Sequence, residues 1–366
     1  MPFKAHWQRR EMPATLRIPI TNVAMGDVYV GAIKVGSEAV PVDVIFDTGS
    51  SALAIDAHAF DPGNDPGTEP TKIAQSVNCR SGSWTGAVVG TKVELGVGVT
   101  LDHAYLTVIY TQTLGLFGQA QGILGLAHKA SDNADLMPED TWKHKYRTDA
   151  IALGAAVDID PCIRQLAKAG LFSNKFAFYT KRSVVRAASD DPAADPLNQG
   201  ILVIGGGEDA TEFHTGAFTR VAVFDDLWYD VNLIGTQPAI RVAPAPAGAM
   251  NRSNSIVDSG TDSLIMERTL YGKIIAAFGA ITPTYAAALR THAIATGHPS
   301  DQSQIDLGSW PDIHFSFQGA DGTPATLTVA PGNYWQFDAA RKGARSPAPS
   351  AATTVRLRCL SSDHRC

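Results

Sequence analysis

Two short stretches of the chain carry the same arrangement of chemically active residues. Residues 44–50 read VIFDTGS and residues 255–261 read SIVDSGT. Each is an apolar run followed by an aspartate, a small hydroxyl residue, a glycine and a second hydroxyl residue. The aspartates, Asp47 and Asp258, are 211 residues apart (258 − 47 = 211). The two carboxyls are the candidate chemical centre of the chain.

Two carboxyls within hydrogen-bond reach of each other have a specific chemistry. Like charges at that distance cannot both ionise, so the pair shares one proton. The ionised carboxyl can take a proton from a water molecule while the protonated one gives its proton to a carbonyl oxygen. The arrangement indicates hydrolysis of an amide with neither a metal ion nor a covalent intermediate. A single Asp-Thr-Gly is most often an ordinary turn, and two copies after apolar runs are a much stronger indication.

Strands are needed to bring the two aspartates together. Residues 40–46 lead directly into the first one, and their β-branched and aromatic side chains are typical of a buried strand. Upstream, residues 29–36 alternate and end in a glycine, and residues 16–20 predict a strand that Pro19 confines to a sheet edge. The glycine after each aspartate lets the backbone turn and approach another segment closely. Short strands separated by turns predict an all-β lobe.

The two motifs resemble those of the pepsin-like aspartic proteases. The similarity rests on residues 46–51 (FDTGSS) and 257–261 (VDSGT), and it extends over roughly residues 15 to 337. It implies an all-β, bilobal fold with a cleft between two related lobes. By this resemblance Asp47 and Asp258 are the catalytic dyad. The residues that support the dyad are then Thr48, Gly49, Ser50, Ser259, Gly260 and Thr261. Ser50 and Thr261 would bond outward from the carboxyls, and Thr48 would brace the facing loop.

A hairpin is predicted over residues 75–95, with its tip near residues 80–83. In the pepsin-like family the corresponding hairpin is a flap that closes over the substrate, and SGSWTG at residues 81–86 resembles it. The resemblance assigns substrate binding to Cys79, Arg80, Ser81, Gly82, Ser83 and Trp84. Cys79 stands where most members have a tyrosine, and Arg80 where a glycine is usual. A thiol has less reach toward a bound peptide, so we expect weaker or altered activity unless the match is shifted by a residue or two.

Composition and pattern divide the chain into five segments. We predict an N-terminal arm at 1–14, an N-terminal lobe with the first motif and the flap at 15–182, and a flexible loop at 183–200. A C-terminal lobe with the second motif follows at 201–337, and a disordered tail at 338–366.

Two short helices are predicted within this β-rich pattern. Residues 161–170 begin with a proline, carry apolar Ile163 and Leu166, and end at Gly170. Residues 270–278 are the second helix. The polar residues 128–160 are expected to be an insertion with some helix.

The C-terminal part departs from the family's pattern. Residues 123–125 (ILG) resemble a strand that in the family packs behind the catalytic loop, and the second copy that should brace Asp258 is not found. Residues 338–366 contain six Lys or Arg and two Asp, a net charge of +4 in a chain of net −6. This composition predicts disorder, and a shifted reading frame or a truncated gene would produce it. We therefore expect an incomplete second lobe in which Asp258 is poorly supported.

Bulk composition limits the partners of the chain. Its 366 residues and 45% apolar content suit one bilobal unit with a sizeable core, and its net charge of −6 argues against nucleic acid as a partner. No run of 18 apolar residues is present, so a membrane partner is not expected. Residues 1–10 are polar and basic, unlike the apolar segment of a signal peptide.

The four cysteines are scattered, without metal-ligand spacing, and predict no metal site. Residues 52–66 lack the disulfide loop that secreted pepsin-like enzymes usually carry, which is typical of a bacterial-type member in a reducing compartment. We expect a cytoplasmic monomer without a cofactor that acts on peptides or unfolded proteins.

Two functions are consistent with these residues. The first is an aspartic endopeptidase with an acidic pH optimum. The second is a catalytically impaired pepsin-like protein that binds peptides or proteins without cutting them. Cys79 and the incomplete second lobe favour the second function, whereas the two intact motifs favour the first. The chain has no H-E-x-x-H, G-x-S-x-G or S-x-x-K motif, so metallo- or serine-hydrolase chemistry has no local support.

Overall fold

The structure of the chain is a computed structural model, and it is built mainly of strands. It describes residues 15–25, 28–79, 82–128, 133–137, 155–224, 227–237, 253–261, 264, 266, 268–291, 300–339 and 344–346. Within these ranges strands greatly outnumber helices. The all-β, bilobal fold class predicted from the sequence is confirmed.

The chain up to residue 204 builds one twelve-stranded sheet. Its strands are β1 (Leu16–Thr21), β2 (Val30–Val35), β3 (Val40–Asp47), β4 (Leu53–Asp56), β5 (Glu69–Cys79), β6 (Gly82–Leu95), β7 (Val99–Gln112), β8 (Gly122–Gly125), β9 (Asn133–Leu136), β10 (Ala155–Asp158), β11 (Phe176–Tyr179) and β12 (Gln199–Ile204). Their spatial order is β10-β9-β5-β6-β7-β4-β8-β3-β2-β1-β12-β11. Most neighbours are antiparallel, but β3 and β8 run parallel and place Asp47 opposite Gly125.

The second half of the chain contributes smaller sheets and most of the helices. Its strands are β13 (Asp230–Val231), β14 (Leu233–Gln237), β15 (Ser255–Ile256), β16 (Ser300–Asp301), β17 (Ile313–Gln318), β18 (Pro324–Val329), β19 (Gln336–Phe337) and β20 (Ala344–Ser346). They pair as β13-β15, β14-β17-β18 and β16-β20-β19. The α-helices are α1 (Cys162–Lys168), α2 (Arg268–Ile281), α3 (Pro283–Thr291) and α4 (Pro331–Tyr334).

Helices α1 and α2 confirm the two helices predicted from the sequence. Helix α1 ends at Lys168, and the predicted stop residue Gly170 follows two positions later with a positive φ of 70° that favours glycine. The insertion predicted to contain some helix forms strands β9 and β10 where it is described, and residues 138–154 lie outside the described residues.

Each half of the chain encloses its own hydrophobic core. The first core gathers inward side chains of the large sheet, such as Val44, Phe46 and Leu106, and α1 adds Leu166 to it. The second core packs Phe278 of α2 against Phe315 and Trp335. Burial of aromatic and branched side chains in two separate clusters is what gives the chain two lobes.

Strand β1 is not at a sheet edge, contrary to the sequence-based expectation. It pairs along its whole length with β12, and Thr21 also pairs with Val30 of β2. On the β2 side only Thr21 pairs, so Pro19 does not interrupt a row of backbone hydrogen bonds there. Residues 201–204, which the sequence analysis assigned to the C-terminal lobe, thus extend the sheet of the first half.

The segment 183–200, predicted to be a flexible loop, is held by buried polar contacts. Two 3-10 turns, Pro192–Ala194 and Pro196–Asn198, are capped by aspartate side chains. Asn198 is fully buried, and its side chain bonds the backbone of Arg186 and Pro192. The Arg186 guanidinium pairs with Asp195 at 2.8 Å. These contacts hold the segment in place of the loose connection that was expected, because buried Asn198 and Asp195 are both hydrogen-bonded.

Part of the predicted disordered tail is structured. Asp338 and Ala339 are buried, Ala339 forms a β-bridge with Arg186, and residues 344–346 are strand β20. Residues 340–343 and 347–366 lie outside the described residues. Within the described part of the chain, β15 pairs only with β13, so the second aspartate lacks the counterpart of β8 that the first one has.

Candidate active site

Strands β3 and β15 deliver the two aspartates. Asp47 is the last residue of β3, whose Val44 and Phe46 are completely buried in the first core. On the other side, β15 continues for one residue, because the Val257 N–H donates to the Tyr229 carbonyl at 3.0 Å. Buried Phe46 directly before Asp47, and buried Ile256 two positions before Asp258, anchor the two aspartates between the lobes.

The two aspartate loops meet through their glycines. A Cβ atom placed on Gly260 would lie 2.5 Å from Asp47 Oδ1, and one placed on Gly49 would lie 2.7 Å from Asp258 Oδ1. Real Cβ atoms do not make contacts this close. The carboxyl of the opposite lobe occupies the space that a side chain would need, so only glycine fits at each of these positions. The structure brings together the two aspartates that the sequence singled out.

Each carboxyl is oriented by its own loop. Asp47 Oδ1 accepts the Gly49 N–H at 2.8 Å, and Asp258 Oδ1 accepts the Gly260 N–H at 2.8 Å. Thr261 donates its hydroxyl to Asp258 Oδ2 at 2.6 Å, as the resemblance implied. The Ser50 hydroxyl is buried beside Asp47 in the equivalent place.

Four hydrogen bonds tie the two loops to each other. The Thr48 N–H donates to Ser259 Oγ at 2.9 Å, and the Ser259 N–H donates to Thr48 Oγ1 at 2.8 Å. The hydroxyls then donate across the interface, Thr48 to the Val257 carbonyl at 2.9 Å and Ser259 to the Phe46 carbonyl at 2.8 Å. Thr48 and Ser259 are both buried, so these bonds are shielded from water. The sequence indicated the hydroxyls, but not that they reach backbone carbonyls just before each aspartate.

The first loop has a brace that the second lacks among the described residues. After β8, the Leu126 N–H donates to the Asp47 carbonyl at 2.7 Å and the Ala127 N–H to the Ser50 carbonyl at 2.8 Å. A Cβ on Gly125 would lie 2.4 Å from the Ser51 backbone, so this glycine permits the close approach. The Tyr229 hydroxyl donates to the Leu126 carbonyl at 2.9 Å and links this brace to the second lobe.

The carboxyl of Asp47 has a strongly perturbed acidity. Burial, followed by the nearby Asp258 charge, raises its pKa to about 7, and a hydrogen bond between the two carboxyls acts in the same direction. The Gly49 N–H and the Ser50 hydroxyl favour the ionised form and offset part of this rise. A carboxyl pair of this kind holds one shared proton over the acidic range, which general acid–base chemistry requires.

The hairpin predicted over residues 75–95 is present as β5 and β6. The two strands pair from Glu69↔Gly90 to Cys79↔Gly82, so the tip lies where the sequence placed it. Arg80 and Ser81 lie outside the described residues, as does the side chain of Cys79. Ser83 is exposed.

Trp84 packs under the hairpin rather than facing solvent. It is buried in an apolar cluster with Ile109 and Phe117. The hairpin is held next to its tip by Thr113, a residue that the sequence did not single out. Its hydroxyl accepts the Ser83 N–H at 2.9 Å, and its N–H donates to the Ser83 carbonyl at 2.8 Å. The nearby glycines at 115 and 118, both with positive φ, were the available signal for this supporting turn.

Neither a metal site nor a membrane-spanning helix is present in the described part of the chain. No three His, Cys, Asp or Glu side chains come together there in a way that could hold a metal ion. Across the same residues, none of the helices has the length and apolar character needed to span a bilayer.

Replacing Thr48 by valine is expected to lower the free energy of unfolding by about 2 to 4 kcal/mol. Valine keeps the shape of threonine but leaves the buried Ser259 N–H and Val257 carbonyl without their partner. Urea denaturation of the two proteins at one pH measures the loss. Thr326→Val, at an exposed position of β18, is the matched control and should change stability little. Equal effects at the two positions would mean that the cross-lobe bonds do not contribute to stability.

Comparisons with known proteins agree with this geometry. The sequence model of the eukaryotic aspartyl proteases matches residues 28–335, well over half of the chain. The matched range contains both aspartate loops and the β5–β6 hairpin. A comparison with curated proteins returned no match. The chain belongs to the eukaryotic aspartyl protease family.

Proposed function

We propose that the chain is an aspartic endopeptidase in which Asp47 and Asp258 activate a water molecule between them. The single observation that carries this proposal is the contact of each carboxyl with the glycine of the opposite loop, which puts the two carboxyls together. The ionised carboxyl takes a proton from the water as it attacks the scissile carbonyl carbon. The protonated carboxyl gives its proton to the carbonyl oxygen. The carboxyl that took the proton of the water then passes it to the amide nitrogen as the C–N bond breaks, and a hydroxyl of the intermediate returns a proton to the pair.

The substrate in this proposal is an extended peptide or an unfolded protein. The β5–β6 hairpin is an antiparallel pair of extended strands, and in this proposal its main chain pairs with such a segment. The net charge of −6 disfavours nucleic acid. We further propose that one copy of the chain suffices, because both aspartates and the four bonds between their loops come from the same chain.

Cleavage of an unfolded protein between pH 3 and pH 8 tests the proposal. Because the pKa of Asp47 is raised to about 7, the pair keeps its shared proton below that pH, and cleavage should fall as the pH rises through about 7. A statine-type inhibitor, which mimics the hydrated carbonyl, should abolish the cleavage. Cleavage that continues unchanged at pH 8, or that ignores the inhibitor, would contradict the proposed chemistry.

A peptide-binding protein without turnover is the second candidate. Two features favour it: by the family resemblance Cys79 takes the place of the flap tyrosine, and β15 has no counterpart of β8 among the described residues. Titration calorimetry with the same inhibitor separates the candidates. A folded sample that binds the inhibitor but cleaves no protein at any pH supports the second candidate and excludes the first.

A further inference from the structure

A large cavity lies beside the aspartate loops but apart from the carboxyls. Its volume is about 550 Å³, within the range of small-molecule sites. Thr48 and Val257 line it, whereas neither aspartate and no residue of the β5–β6 hairpin does. The cavity therefore adjoins the bonds between the two loops from a side that the proposed peptide does not use.

The wall of this cavity is mostly apolar. Phe176 and Phe178, on one face of β11, line it together with Ile163 of α1 and Val231 of β13. The two phenylalanines lie edge to face, with ring centroids 5.9 Å apart. An aromatic and branched surface of this kind favours an alkyl chain over a polar ligand.

The charged side chains that line the cavity are positive. Among the residues that line the cavity, Arg164 and Lys175 are cationic and none is a carboxylate. Each has an acidic partner outside the lining: Arg164 Nε contacts Asp160 at 3.0 Å, and Lys175 contacts Glu208. Arg164 and Lys175 are each 46% exposed, so these pairs are weak and can exchange partners. Asp160 is also shared with Lys168, so Arg164 does not hold this acid alone.

We propose that this cavity binds an apolar monocarboxylate, a ligand of the medium-chain fatty acid class. The alkyl chain lies against the apolar wall formed by the phenylalanines and Val231. The carboxylate pairs with Arg164 and Lys175, which can supply several N–H donors between them. The ligand contacts Thr48 and Val257 and so touches both halves of the chain at once.

Titration calorimetry of the full chain with hexanoate, octanoate and decanoate at pH 7 tests the proposal. Each added CH₂ should tighten binding about fourfold, because the wall buries it. Decanol should bind more weakly than decanoate. Replacing both cations, Arg164→Gln with Lys175→Gln, should abolish that difference. The pair Arg17→Gln with Lys34→Gln is the matched control, since these side chains are similarly exposed, are also ion-paired and do not line the cavity.

A blocking variant checks the position of the ligand. Val223 lines the cavity and is 48% exposed, so Val223→Trp should narrow the opening without disturbing the core and weaken decanoate binding at least tenfold. Val97→Trp, at a position 96% exposed and away from the cavity, should leave binding unchanged.

Three results would overturn the proposal. They are no binding of decanoate to the folded chain, equal affinity for decanoate and decanol, and loss of binding on dimerisation. The third would mean that a second copy of the chain occupies the cavity. All of these readouts are independent of peptide cleavage, so they distinguish this proposal from the proposed function.

Discussion

Asp47→Asn is expected to lower kcat for peptide cleavage by on the order of 10⁴-fold while the chain remains folded. An asparagine has the shape of the aspartate but can neither take a proton from water nor share one with Asp258. Gly49 and Ser50 remain in place to hold the side chain. Cleavage rates at pH 5 on one unfolded protein, with circular dichroism to verify folding, measure the effect.

Asp43→Asn is the matched control for this variant. Asp43 is an exposed residue of the same strand β3, four positions before Asp47. Its replacement removes the same charge and should leave kcat within about twofold. If both variants retained full activity in preparations free of contaminating protease, the aspartate pair would not be the catalytic centre.

Asp47→Asn should also change how stability depends on pH. The raised pKa means that the folded chain keeps the Asp47 proton between about pH 4 and pH 7, whereas the unfolded chain has lost it. Unfolding then releases a proton, so this residue makes stability fall as the pH rises through that window, by at most about 1.4 kcal/mol per pH unit. Urea titrations at pH 4, 5.5 and 7 should show a shallower fall for the variant.

Gly260→Ala is expected to reduce kcat by about 10²-fold, although it leaves every ionisable group in place. The new methyl group would lie 2.5 Å from Asp47 Oδ1 and 3.1 Å from Oδ2, so the carboxyl must move. Gly260 is exposed and has no positive φ that alanine would strain, and the fold should persist. Gly49→Ala is the mirror change, acting on Asp258.

Gly272→Ala is the control for the glycine variants. Gly272 lies in α2, and a Cβ placed there meets nothing within 4 Å. Alanine at this helical position should raise stability by up to about 1 kcal/mol and leave kcat unchanged. If the Gly260→Ala and Gly49→Ala variants kept full activity, the carboxyls would have more room to move than the structure shows.

The residues around the aspartates could be identified from sequence because their signature is local. An apolar strand, an aspartate, a hydroxyl and a glycine occupy seven consecutive positions, and the family resemblance extends that pattern to the hairpin. The sequence also predicted that the two loops meet, because two aspartates share a proton only when their carboxyls lie within hydrogen-bond reach. The structure adds the carbonyls of Phe46 and Val257 as acceptors, which no side-chain pattern encodes.

Long-range pairings were the part that the sequence could not reveal. Strand β1 has its main partner, β12, nearly two hundred residues further along the chain, and Pro19 alone suggested an edge. The segment 183–200 has the composition of a loose loop, yet the burial of Asn198 and the pair Arg186–Asp195 hold it. Strand β20 likewise arises in a segment without a strand-like pattern, because β16 and β19 pair with it.

The four bonds between the aspartate loops are related by an approximate twofold axis. Thr48 and Ser259 each donate and accept the same backbone and hydroxyl bonds, so the contact has the self-complementary form of an isologous dimer interface within one chain. Exchanging the two residues, with Ser at 48 and Thr at 259, would preserve every donor and acceptor. Thr48 and Ser259 are therefore constrained as a pair, because a substitution at either one removes hydrogen bonds that join both lobes.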